Sequence, residues 1–84
     1  MATNLSIRVL VRNRERIFFN DKASSVSSFN DRGPFDVLPQ HANFLSLISK
    51  AVIIDKGLPT EKFINTDSGV LNASRDVVKV YLGL

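Results

Sequence analysis

The chain has 84 residues, 44% of them hydrophobic, with a formal charge of +3, one His and no Cys. A chain of this length is read as one domain, 1–84, burying roughly 60% of the surface its unfolded form exposes. Without Cys there is no disulfide or thiolate chemistry, a lone His excludes an ordinary structural zinc site, and no apolar run approaches the ~18 residues of a membrane-crossing helix.

Leu5, Ile7, Val9 and Val11 alternate with Ser6, Arg8 and Arg12, the period of a strand with one buried face. Leu10 interrupts the polar side, which suits a partly covered outer face. Asn13-Arg14-Glu15 is a polar turn, Arg16 to Phe19 a second strand, and Asn20-Asp21-Lys22 is expected to break it. Ala23 to Phe29 reads as a third strand whose serine-rich faces suit an outer position in a sheet. Asn30-Asp31-Arg32-Gly33 is a strong turn signal.

The stretch from Gly33 to Ile48 organises the rest. Pro34 and Pro39 each remove a backbone donor and push the preceding residue into the extended region. Gly33 can take a positive φ, so the chain can turn sharply into a kinked, extended corner with His41 near its tip. Such backbone suits an edge strand, or a strand that leaves one sheet for another. After it, Phe44, Leu47, Ile48 and Ala51 fall at helical spacing, so a helix over 42–53 fits. Ser46, Ser49 and the β-branched Val52-Ile53-Ile54 favour two short strands instead, with a turn near Ser49-Lys50.

Ala51 to Asp55 is the firmer strand, Lys56-Gly57-Leu58-Pro59 a turn and Glu61 to Thr66 the return. Asp67-Ser68-Gly69 turns or bulges. Val70 to Ala73 and Val77 to Leu82 close a hairpin around Ser74-Arg75-Asp76. The expected fold is all-β, a two-sheet sandwich or barrel of about eight to ten short, mainly antiparallel strands.

No catalytic, cofactor-binding or metal-ligating residue is expected. A Ser-His-Asp arrangement around His41 lacks the Gly-x-Ser-x-Gly elbow, and Gly33 and Gly69 belong to no phosphate-cradling motif. His41 is expected to hydrogen-bond a nearby backbone group, or to serve an interface. Arg8, Arg12, Arg14 and Arg16 crowd the first hairpin, where a solvated face comes first and an acidic protein partner second.

The run Gly33-Pro34-Phe35-Asp36-Val37-Leu38-Pro39-Gln40-His41-Ala42 resembles the epsilon subunit of rotary ATP synthases, which reads Gly-x-Phe-Gly-Ile-Leu-Pro-Asn-His-Ala there. Ser68-Gly69-Val70-Leu71-Asn72-Ala73 and Asp76-Val77-Val78-Lys79-Val80 are similar to its Gly-Gly-Phe-Leu-Glu-Val and Asn-Lys-Val-Thr-Val. Ala51 to Phe63 falls at its Val-Leu-x-Ile hairpin and Ser25-Val26-Ser27 at its Ser-Val-Ser, so the likeness is collinear over nearly the whole chain. The departures are Asn43 for Pro, Asp36 for Gly, Ser68 for Gly, and a loop from Phe29 to Gly33 without Pro-Gly.

The resemblance implies the N-terminal β-sandwich of about ten strands, acting in the central stalk as a non-catalytic rotor part. One face would pack on the gamma subunit and one end would rest on the membrane ring during proton-driven ATP synthesis. The ring-facing loops would be Asp31, Arg32 and Gly33 with Gln40 and His41, and Pro34, Pro39 and Gly69 would shape turns. The chain would sit on the cytoplasmic face of the energy-coupling membrane, held by the complex, without nucleic acid, cofactor or small-molecule ligand. The sequence ends at Leu84, after the last strand, where many members of the resembled family continue into a two-helix hairpin that in bacterial members senses ATP and inhibits; a short form without either property and a piece of a longer chain are equally compatible with that ending. Two other readings stay open: a small basic β-barrel that binds nucleic acid, and a free-standing protein-interaction domain.

Overall fold

A computed structural model describes residues 6–83, and every regular element among them is a strand. In chain order these are β1 (Ile7–Arg12), β2 (Ile17–Ala23), β3 (Val26–Asn30), β4 (Gly33–Val37), β5 (Phe44–Ile54), β6 (Lys62–Asn65), β7 (Gly69–Ser74) and β8 (Val77–Leu82). One sheet runs β2-β1-β8-β7 and ends on the first half of β5. The other runs β4-β3, then the second half of β5, then β6. All pairs are antiparallel except β1 with β8.

The period of two read from the sequence places the core. Ile7, Val9 and Val11 from β1, Val78, Val80 and Leu82 from β8, and Leu71 and Ala73 from β7 form the inner side of the first sheet. Val26, Val37, Val52 and Ile54 answer from the second, with Phe19, Phe35 and Ile64 packed at the margin. Each fully buried Val or Leu contributes about 1.5–3 kcal/mol by leaving water. The strand alternation, rather than any local motif, therefore carries most of the stability.

β5 joins the two sheets. Phe44–Ile48 pairs with β7, whereas Ser49 to Ile54 pairs with β3 on one side and β6 on the other. Between the halves Lys50 takes a φ of 71°, and its carbonyl accepts the Thr66 N–H at 3.0 Å. A single left-handed residue kinks the strand without ending it, which is how a strand turns a corner between sheets. The expected break at Ser49-Lys50 is at the right place but is a kink, so one 11-residue strand replaces two short ones.

Other boundaries also shift. β2 runs through Asn20-Asp21-Lys22, because those residues pair with Leu10, Val9 and Arg8 and an edge strand tolerates polar side chains on both faces. β3 starts at Val26 and is interior, between β4 and β5, not outer. Its serines are buried because they are satisfied: Ser28 Oγ donates to the Ala51 carbonyl at 2.7 Å and Ser27 Oγ to Asp36 Oδ1 at 2.5 Å. β4 is the edge of its sheet, the place where Pro34 costs no ladder bond. The proposed first strand includes Leu5, which lies outside the described residues, as does Leu84.

Candidate interaction surfaces

The outer face of the larger sheet can be written as three cross-strand rows. Ser74, Val77, Arg8 and Lys22 form the first. Leu45, Asn72, Lys79, Leu10 and Asn20 form the second, and Leu47, Val70, Tyr81, Arg12 and Ile17 the third. Leu45 and Leu47 are 70% and 76% exposed; Tyr81, two strands away, and Ile17, at the far end of the third row, are exposed as well. The rows hold Arg8, Arg12, Lys22 and Lys79 and no carboxylate. The Arg8 guanidinium is tied to Asn20 Oδ1 at 3.0 Å, and the Arg12 guanidinium donates to the Asn13 carbonyl at 3.1 Å.

The face is thus apolar at β5, mixed on β7, where Val70 stands with Asn72 and Ser74, and cationic toward β8, β1 and β2. Large leucines left on an outer sheet face, with charge of one sign on the strands beyond them, mark a protein-docking surface better than a reactive site. The arginine cluster of the first hairpin is split by the fold. Arg8 and Arg12 stand on this face, while Arg14 lies in the β1–β2 turn and Arg16 stacks on the Phe18 ring at 4.4 Å.

The two loops named from the sequence stand apart in their partners. Asp31 and Arg32 form the exposed turn of the β3–β4 hairpin, where Asn30 Oδ1 accepts the Arg32 N–H at 2.9 Å. Gly33 closes that turn at φ 115°, a conformation a side chain would strain. Gln40 and His41 lie in the β4–β5 loop and share a shallow depression with Arg75 and Asp76 of the β7–β8 turn. Asn43 links the same two loops, accepting the Arg75 N–H at 2.9 Å.

His41 does what a corner histidine does for its own loop: Nδ1–H donates to the Leu38 carbonyl at 2.8 Å, across Pro39 and Gln40. Its ring meets the Phe44 ring edge-on at 6.4 Å, and Phe44 in turn meets Phe35 at 6.0 Å. Nε2 is buried without a hydrogen-bond partner among the described residues. Pro34 is in β4, Pro39 opens the turn that holds Gln40 at φ 65°, and Gly69 is the first residue of β7. Gly69 is therefore a strand residue whose missing side chain matters, not a turn.

No group of three or more His, Cys, Asp or Glu side chains among the described residues is arranged to hold a metal ion. Among the described residues no helix is long and apolar enough to cross a membrane. Sequence reasoning passed over Leu45, Leu47, Val70, Lys79 and Tyr81. The signal was present in Phe44 to Ile48, which is apolar at both parities apart from Ser46, as a strand with two covered faces should be.

The structure is similar to a chain of the Euglena gracilis mitochondrial ATP synthase, from an OSCP/F1/c-ring assembly in rotational state 1. The TM-score is 0.83 over 98% of this chain and 53% of that one, at 9% identity. It is similar also to a chain from the central stalk and c-ring of the Tetrahymena thermophila mitochondrial ATP synthase, with a TM-score of 0.71 over 90% of this chain and 62% of that one, at 10% identity. The chain spans less than two thirds of the length of both. At these identities the likeness is one of fold. No curated protein matches the sequence. Residues 6–82 match the ATP synthase Delta/Epsilon chain beta-sandwich domain, and the chain belongs to that family.

Proposed function

We propose that this chain is a central-stalk subunit of a rotary ATP synthase that ties the gamma subunit to the membrane ring. Delta/Epsilon chains are structural, non-catalytic subunits of that enzyme. The carrying observation is the outer face of the larger sheet, where exposed leucines and four cations stand in continuous cross-strand rows. A gamma-subunit surface with an apolar patch on one side and carboxylates on the other would complement it.

The loops would serve the ring. Asp31, Arg32 and Gly33 offer an exposed polar turn, and Gln40 and His41 a second one braced by Arg75 and Asn43. The mechanism is mechanical. Two strongly packed sheets sharing one strand resist shear, so the domain can hold shaft and ring in fixed geometry while both turn. It would be peripheral to the membrane, on its cytoplasmic face, through the complex.

A polyanion would also be drawn to the four cations. Single-stranded nucleic acid needs several aromatic faces for stacking, and the three rows offer only Tyr81. The test is capture of the tagged chain from its host's membranes with mass-spectrometric identification of what is bound. Gamma recovered with ring subunits supports the reading. Nucleic acid, or proteins without a synthase subunit, overturns it.

A further inference from the structure

Among the described residues every sheet edge but one is guarded. β2 carries Asn20-Asp21-Lys22 along its length. β4 has Pro34, which has no N–H to offer, and the charged Asp36. β6 is only four residues long and begins with Lys62. These are the usual devices against pairing with another chain. The first half of β5 has none of them. Phe44-Leu45-Ser46-Leu47-Ile48 contains no charge and no proline, and among the described residues it pairs with β7 on one side only.

We propose that this edge pairs with the same edge of a second copy, antiparallel and centred on Ser46. The segment is self-complementary about that residue. A two-fold axis through Ser46 sets Leu45 opposite Leu47 of the second copy, Leu47 opposite its Leu45, and Phe44 opposite its Ile48. Both leucines of each pair are the most exposed large apolar side chains described, at 70% and 76%. Cross-strand apolar pairs of this kind are the unit that stabilises a sheet. The interface is isologous, so it closes at the dimer.

Charge selects this geometry over stacking of the outer faces. Face-to-face packing at about 10 Å would set four cations of one copy against four of the other. Edge-to-edge pairing leaves the faces side by side. Lys79 lies two strands in from the junction, so the two copies of Lys79 are five strand spacings, about 24 Å, apart. That separation is about three Debye lengths at physiological salt, and the repulsion is screened. Ser46 Oγ donates to the Leu47 carbonyl at 3.0 Å and accepts from Asn30 Nδ2 at 3.3 Å, so the axial residue is already held in place.

Sedimentation of the whole chain over a concentration series tests this. The unmodified protein should show a reversible monomer–dimer equilibrium. Leu47→Lys and Leu45→Lys, each on an exposed outward position, should weaken it by about tenfold or more while circular dichroism and the unfolding midpoint stay put. Because the chain lacks cysteine, Ser46→Cys should oxidise to a cross-linked dimer and Asn72→Cys, one strand in, should not. A protein that stays monomeric up to millimolar concentration overturns the proposal. So does a dimer that both lysine variants leave intact and Ser46→Cys fails to trap.

Discussion

Gly69 faces the Tyr81 carbonyl oxygen so closely that a Cβ on Gly69 would lie 2.6 Å from it. The same atom would meet Ile48 Cγ1 and Leu82 Cδ2 at 3.3 Å. β7 thus begins with a residue whose absent side chain lets β8 and β5 close over it. Gly69→Ala must move backbone rather than a flexible side-chain tip. The expected loss is about 1–3 kcal/mol, as for overpacking a core. A thermal midpoint lower by at least about 4 °C would register it in a domain of this size. An unchanged midpoint would mean that the β7–β8 junction is looser than described.

Ser28 and Asp55 hold the inner connections in different ways. Ser28 is 1% exposed and donates to the Ala51 carbonyl at the register shift between β3 and β5. Ser28→Ala removes that buried bond, at a cost of about 0.5–1.5 kcal/mol. Asp55 accepts the Ser24 N–H through Oδ1 at 2.6 Å and the Thr60 hydroxyl through Oδ2 at 2.7 Å, so it staples the β2–β3 link to the β5–β6 loop. Its φ of 54° suits Asn as well as Asp. In urea unfolding Asp55→Ala should therefore lose about 1.5–3 kcal/mol and Asp55→Asn clearly less. Equal losses would mean that the link needs both carboxylate oxygens, since Asn keeps the backbone preference and gives up only the acceptor for Thr60.

Lys50 sits in the left-handed region at the sheet corner, with its ammonium 5.4 Å from the centre of the Phe29 ring. Glycine would relieve the backbone but give up that contact and order a freer chain, so Lys50→Gly should fall within about 1 kcal/mol of the parent. A β-branched side chain has no such compensation. Lys50→Val should be less stable than Lys50→Gly by about 1–2 kcal/mol in chemical denaturation. The reverse order would mean that the corner is not left-handed in solution.

That corner also shows where sequence reading stops. Period-two alternation located the buried face of β1, because burial on one face of a strand leaves its mark every second residue, and the turn residues located Asp31-Arg32 and the closing hairpin that complete the all-β reading. It could not tell a turn from a kink at Ser49-Lys50, since both need one residue out of extended conformation. It placed β3 on the outside because serines look exposed, and the bonds that bury them come from Ala51 and Asp36, distant in sequence. The docking face was hidden for a related reason. Leu45, Tyr81 and Lys79 are unremarkable singly and become a surface only when the register sets them in rows. The resemblance reached the family that the finished fold supports. The loop residues it nominated, Asp31 to Gly33 and Gln40 with His41, remain proposed contacts.

Gln40 offers a test confined to one of those loops. It follows Pro39 at φ 65°, the third position of a turn that favours Gly or Asn there, and the His41–Leu38 bond closes over it. Gln40→Gly keeps the backbone and removes the strain, so it should raise stability by about 0.5–1 kcal/mol. Differential scanning calorimetry would report the rise. Gln40→Val should lower it. A fall with glycine would show that the Gln40 side chain itself makes contacts worth more than the strain.

The outer face makes the sharpest claim about partners. Lys79 lies in the middle row between Asn72 and Leu10, and Arg12 beside Tyr81 in the next row, both on a surface without carboxylates. Lys79 is exposed, so Lys79→Glu should change stability by no more than about 0.5 kcal/mol, whereas Arg12 is half-buried and Arg12→Glu also gives up its bond to the Asn13 carbonyl, at a cost of about 1 kcal/mol. Docking to an acidic rim is a different matter, because rim charges set encounter rate and salt response. Capture of gamma by the double variant should fall, and the dependence on salt that the parent shows should flatten. Leu47→Lys should weaken both this capture and self-pairing, since Leu47 belongs to the face and to the edge alike. The charge reversal should weaken capture alone and leave the dimer as it is. Undiminished capture by the double variant, with salt dependence intact, would move the gamma contact off this face and leave the edge inference standing by itself.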